Sequence, residues 1–193
     1  DRRQRQMCIR DRFSTADGET VANCHKMPAS MFNRRMLSAN EIADEWIPLI
    51  DDIRKFNPHI DITFTVSLVR HLADGAHGNQ LSKSTLQLAA DSIMAQRPGV
   101  CHYFPSYEIM LDQLRDYRFF AADMVHPSDV AVAYVAERFK ASCLSDRARQ
   151  ACTRCEKVYA RLLHRPLTDD SEAAEAFRAA TRRAADTLSA DMP

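Results

Sequence analysis

Between Ser38 and Phe56 the apolar residues Ile42, Trp46, Leu49, Ile50, Ile53 and Phe56 recur at the spacing of one helical face. Ser38 and Glu41 stand at the front of that run in the S-x-x-E pattern of a capping box, so the helix starts at Ser38. Pro48 falls inside the face and lacks an N–H, which is expected to kink the helix or displace its start. Asn57-Pro58 ends it. From Ile60 the period drops to two: Ile60, Ile62, Phe64 and Val66 alternate with Asp61, Thr63, Thr65 and Ser67. That is a β-strand by period and by β-branched content. A loop with Gly75 and Gly78 follows, and then a helix from roughly Ser82 to Gln96 with Leu86, Ala90, Ile93 and Met94 inward. Pro98-Gly99 breaks it, and Val100 to Phe104 reads as a short apolar strand.

Residues 13–37 show no clear period and read mostly as loop. Residues 106–122 are helical in part and end in the aromatic cluster Tyr117, Phe119 and Phe120. Ser128 caps a helix carrying Val132, Val135, Ala136 and Phe139. From about Asp146 to Ala190 come two amphipathic helices split by His164-Arg165-Pro166, read as a solvated outer layer. Helix alternating with strand is the signature of an α/β fold with a parallel sheet. Two strands do not make such a sheet stable, so the remaining strands are expected upstream of residue 13. Met7-Cys8-Ile9-Arg10-Asp11-Arg12 resembles the translation of a transposon end used in sequencing libraries, against the plainer reading of a basic tail. The expected organisation is a tail over 1–12, a domain over 13–142 and a helical extension over 143–193.

Composition narrows the chemistry. Of 193 residues, 46% are hydrophobic and 27% charged, ordinary for a globular domain with a sizeable core. Lys plus Arg and Asp plus Glu balance at 26 each, so no net field favours nucleic acid or an anionic membrane. No apolar run approaches the roughly 18 residues of a spanning helix, and the polar start Asp1–Gln6 leads into no signal-like segment. A cytoplasmic protein is expected. The four glycines form no phosphate-cradling loop, which argues against nucleotide chemistry. The six cysteines show no disulfide framework, and Cys152-x-x-Cys155 lacks the second pair of a zinc site. Neither metal nor other cofactor is expected.

Asp123-x-x-His126-Pro127 is the sharpest candidate. It follows the last strand and precedes a helix, where loops beyond the carboxyl ends of parallel strands line the ligand crevice. A carboxylate three residues before an imidazole can hold one ring nitrogen as N–H and leave the other as general base. The plainer reading makes both residues turn and cap groups. Ser67, Arg70 and His71 lie just past the carboxyl end of the first strand; Arg70 and His71 can orient a substrate or a neighbouring loop. Ser67 lacks the G-x-S-x-G elbow of a nucleophile. His71, Asp74 and His77 are better read as structural than as metal ligands. In Asn23-Cys24-His25-Lys26, adjacent side chains of an extended segment point apart, which argues against a Cys–His dyad.

Several stretches together resemble the GSCFA family, a bacterial group similar to the SGNH/GDSL hydrolases. They are Val21–Lys26, Phe64–His71, Asn79–Lys83, Tyr103–Ile109, Leu114–Phe119, Asp123–Ser128 and His164–Pro166, in the family's order. Leu68 stands where the family pattern usually has proline. The resemblance implies a flavodoxin-like three-layer α/β/α sandwich, incomplete here, with 60–67 as its fourth strand and 100–104 as its fifth. It implies Asp123 and His126 as the acid and base of a Ser–His–Asp arrangement, supported by Ser67, Arg70, His71, Asn23 and His25. The substrate implied is a small-molecule or glycan-linked acyl ester. The namesake Gly-Ser-Cys-Phe-Ala motif, which would carry the nucleophile, does not occur in the sequence, so this stretch by itself is expected to be inactive. Two rivals stand beside the esterase: a binding module on the same fold without turnover, and a redox or metal protein built on Cys24, Cys152 and Cys155.

Overall fold

The computed structural model describes residues 11–16, 18–21, 27–164 and 172–191. They form two compact units, one through Val135 and one from Ala136. The first is a mixed α/β unit that is mostly helical.

Its longest packed pair is α1 (Ala39–Phe56) against α2 (Gly75–Gln96). α1 begins where its capping box places it: the Glu41 N–H donates to Ser38 Oγ at 3.3 Å, and the Glu41 carboxylate accepts the Ser38 N–H at 2.8 Å. Two of the orphan N–H groups of the first turn are thereby satisfied. Pro48 neither displaces the start nor ends the helix. Pro48 and Asp44, whose carbonyl loses its partner, both lie on the solvent side, where water can take that carbonyl. Ile42 and Ile50 are buried and Trp46 is half-buried, but Leu49 and Phe56 face solvent, Phe56 with 94% exposure. The expected inner face was too wide by those two positions.

β4 (Ile62–Phe64) and β5 (Cys101–Tyr103) pair in parallel, Ile62 opposite Cys101 and Phe64 opposite Tyr103, with α2 as the crossover. Parallel strands need such a crossover, and the helix is amply long for it. The alternation read from the sequence persists: Ile62, Phe64 and Val66 turn inward while Asp61, Thr63 and Thr65 are exposed. α2 starts seven residues before the expected Ser82, so Gly75 and Gly78 belong to its first turn and not to a loop. Gly75 sits at φ 68°, a conformation that glycine adopts without strain. Ala43, Ile50, Ile93, Val100 and Cys101 make the core between α1, α2 and the strand pair, and Trp46 meets Phe64 edge-on at 5.2 Å.

α3 (Ser106–Asp112) and α4 (Asp129–Cys143) frame a second cluster of Phe104, Ile109, Met110, Leu114 and Ala131, with Leu68, Phe119 and Phe120 packed on it. Where a loop was expected over 13–37, the chain forms a small antiparallel sheet in the order β2 (Thr20–Val21), β1 (Asp11–Ser14), β3 (Asn33–Met36). These strands are too short and polar for a period-two signal. β3 is exposed throughout, and Arg34 ties it to Asp74 by two bonds of 2.9 and 3.0 Å. In the second unit, α5 (Asp146–Leu163) pairs with α6 (Glu172–Asp191). Among the described residues no helix is long and apolar enough to cross a membrane.

Ile50 is fully buried in the first core, so Ile50→Ala should destabilise the first unit by about 2–5 kcal/mol. Urea unfolding followed by circular dichroism checks this; a loss under about 1 kcal/mol would show a loosely packed core.

Candidate active site

The loop between the 3-10 turn at Tyr117–Phe119 and α4 is short and closed on itself. Phe120 and Pro127 form an antiparallel bridge, the Ala121 N–H donates to the His126 carbonyl at 2.8 Å, and the Ser128 N–H donates to the Phe119 carbonyl at 2.8 Å. At its tip Met124 takes φ 59°, in the left-handed region. That turn lets one carboxylate cap the loop: Asp123 Oδ1 accepts the N–H of Val125 at 2.9 Å and of His126 at 3.0 Å. Its other oxygen, Oδ2, lies 2.6 Å from His126 Nδ1. Asp123 thus uses its short side chain as turn residues of its type do, while keeping one oxygen for the imidazole.

The electrostatics follow from those three contacts. The backbone N–H of His126, then that of Val125, then the His126 ring hold the Asp123 carboxyl down to about 2. An ionised carboxylate can only accept, so Nδ1 carries the hydrogen, and the neutral ring has its lone pair on Nε2. Nε2 is bonded to no described residue, and about a third of the side chain is exposed to solvent. Solvent can reach it.

Arg70 comes to the same place from the segment after β4. Its backbone N–H donates to the Val125 carbonyl at 3.1 Å and its Nη1 to the Met124 carbonyl at 3.2 Å. Its guanidinium lies 3.7 Å over the Phe120 ring. All three contacts are with the loop that bears His126, so in this structure Arg70 orients a neighbouring loop. Ser67 and His71 lie on the same segment. The Ser67 hydroxyl closes a local turn by accepting the Val69 N–H at 3.2 Å. His71 is buried, and its N–H donates to Asn79 Oδ1 at 2.9 Å. Asn23, His25 and Cys24 lie outside the described residues.

One residue passed over in the sequence stands out. Lys83 is 1% exposed, and its Nζ donates to the Ser67 carbonyl at 2.6 Å. Burial pushes its ammonium down to about 8. Asn79, Lys83 and Gln87 succeed one another at four-residue spacing along α2. They bond respectively to the His71 N–H, the Ser67 carbonyl and the Glu108 carboxylate. The signal was legible: Lys83 sits three residues before Leu86 and seven before Ala90, a charge at the head of an apolar stripe.

The other chemical candidates do not assemble. Asp74 is taken by Arg34, and Cys152 and Cys155 are free thiols. Among the described residues no three His, Cys, Asp or Glu side chains converge as a metal site would need. An open hollow of about 480 Å³ in the second unit is lined by Asp146, Arg149, Gln150, Thr153 and Arg154. It has no imidazole or carboxylate pair for proton transfer, and Arg149 pairs with Asp146.

No curated protein and no solved structure matches the chain. The model of the GSCFA family matches residues 12–139, which takes in the βαβ unit, the segment after β4 and the Asp123–His126 loop. With more than half of its residues under that match, the chain belongs to the GSCFA family.

Proposed function

We propose that this domain is the acid–base half of an acyl-ester hydrolase or acyltransferase of the SGNH/GDSL kind. The observation that carries the reading is the 2.6 Å contact between Asp123 Oδ2 and His126 Nδ1. It fixes the tautomer in which Nε2 takes a proton. In the reaction, Nε2 removes the proton of a serine hydroxyl as the serine attacks the ester carbonyl, and later returns it to the leaving alcohol. Asp123 stabilises the imidazolium formed between those steps. The serine is that of the family's Gly-Ser-Cys-Phe-Ala motif, on the first strand of a three-layer, flavodoxin-like sandwich. The parallel β4–α2–β5 unit supports that architecture, because parallel pairs occur in larger sheets covered on both faces. The substrate is a small-molecule or glycan-linked acyl ester.

The test joins the chain to a Gly-Ser-Cys-Phe-Ala-bearing N-terminal segment of another family member and follows release of p-nitrophenol from short acyl esters. His126→Ala should lower turnover by a factor on the order of 10⁶, the scale of removing a triad member, and Asp123→Asn by roughly 10⁴. Unchanged turnover in His126→Ala would reject the role. A joined protein that binds acyl esters without cleaving them would favour the binding module.

The reading also needs Asp123 ionised wherever the enzyme works. Its carboxyl is held below the ordinary 3.8, so the stabilisation it gives the loop is complete above about pH 4 and is lost as pH falls through about 2. Carboxyl carbon shifts recorded from pH 6 to pH 1.5 should show Asp123 titrating well below 3.8, at about 2. A midpoint near 4 would mean that the two backbone bonds do not form in solution.

A further inference from the structure

We infer that Lys83 is a positioning residue: its buried ammonium sets the segment after β4, and through Arg70 sets the loop that carries His126. The functional meaning of this rests on His126 being the base; the geometry does not. Past Phe64 the chain leaves the strand, and its carbonyls lose their neighbour. Ser106 Oγ donates to the Val66 carbonyl at 2.8 Å, and Lys83 Nζ to the Ser67 carbonyl at 2.6 Å. Three residues on, Arg70 makes its contacts with Met124 and Val125. The path from Lys83 to the imidazole is therefore Ser67, Arg70, then the 123–126 loop, with a hydrogen bond or one short stretch of chain at every link.

Among the described residues the ammonium bonds to that carbonyl alone. From α3 it faces the Tyr107 ring at 5.4 Å. The Glu108 carboxylate is taken by Gln87 at 2.6 Å and by the Tyr103 hydroxyl at 2.9 Å. Arg70 and His71 follow on the segment itself. Burial alone lowers the lysine to about 8, with no carboxylate offsetting it. Both phenols are pushed up by burial, so they keep their protons while Lys83 loses its own. On deprotonation the bond to Ser67 loses its charge assistance, and bonds with a charged partner are roughly twice as strong as neutral ones.

Stability and positioning then run in opposite directions. An unfolded lysine titrates at 10.5 and Lys83 in the fold at about 8. The folded chain therefore gains stability relative to the unfolded one as pH rises from about 8 towards 10.5. Over the same range the grip on Ser67 weakens.

The experiment uses the 193-residue chain, labelled with ¹³C and ¹⁵N, over pH 6.5 to 10. The Lys83 Cε shift reports its proton, the Arg70 amide its bond to Val125, and the His126 ring nitrogens the tautomer. The Lys83 and Arg70 signals should move on one curve with a midpoint near 8, and exchange of the Arg70 amide should rise about ten-fold beyond the base-catalysed trend, as loss of about 1.4 kcal/mol of protection requires. Lys83→Met should melt no lower than the wild type at pH 7, show the loosened Arg70 amide at every pH and lose the pH step; Lys83→Arg should keep the amide protected through pH 10. Loss of the Lys83 proton with the Arg70 amide and His126 ring unmoved overturns the inference. So does a pH step that persists in Lys83→Met, or a variant that merely melts earlier. Should Lys83→Met fail to fold, the wild-type series decides by itself. None of these readouts needs turnover, so they stand or fall apart from the esterase assay.

Discussion

A parallel strand that ends must hand its remaining backbone groups to something other than a strand, and the stretch from Thr65 to His71 shows what takes them. Ser106, Lys83 and Asn79 reach in from two helices and accept or donate at Val66, Ser67 and His71 in turn. Unpaired, those groups would each cost about 1–3 kcal/mol wherever water is kept out. Because the helices supply them in fixed order, the segment has one path, and that path delivers Arg70 to the His126 loop.

The loop has its own economy. A single carboxylate caps two amides and holds an imidazole, three acceptor tasks shared by two oxygens. Asp123 makes both kinds of contact at once: one oxygen caps two amides and the other meets the ring. Phe120 then serves both sides, packing into the second core and carrying the Arg70 guanidinium on its face.

Sequence reading succeeded where local chemistry was strong. The Ser38–Glu41 box, the alternation through β4, the break at Pro98-Gly99 and the Asp123–His126 turn each depend on residues within a few positions of one another. It failed where distance decided. Glycines at 75 and 78 spoke for a loop, yet Gly75 serves as the left-handed entry to α2 and Gly78 leaves room beside Asp74. The polar strands at 11–14 and 33–36 pair with each other although β2 lies between them along the chain, a pairing that no period announces. Leu49 and Phe56 carried the right spacing, but helix α1 buries a narrower stripe than the pattern drew. Lys83 stood at the head of the apolar stripe of Leu86 and Ala90, but the Ser67 carbonyl it meets, 16 residues back, carried no local sign. The carbonyls that Arg70 meets, 54 and 55 residues onward, were not legible from its position.

Met124 has a consequence for what the loop tolerates. A side chain held at φ 59° sits where most residues are strained by roughly 1–2 kcal/mol, and an unbranched thioether is among the easier ones to hold there. Valine or isoleucine at that position would crowd the backbone and tilt the carbonyl that Arg70 grips. Asparagine or glycine would relieve the strain and leave the carbonyl free to turn. The range of residues acceptable at the tip is thus bounded from both sides, by steric compression on one and by surplus freedom on the other.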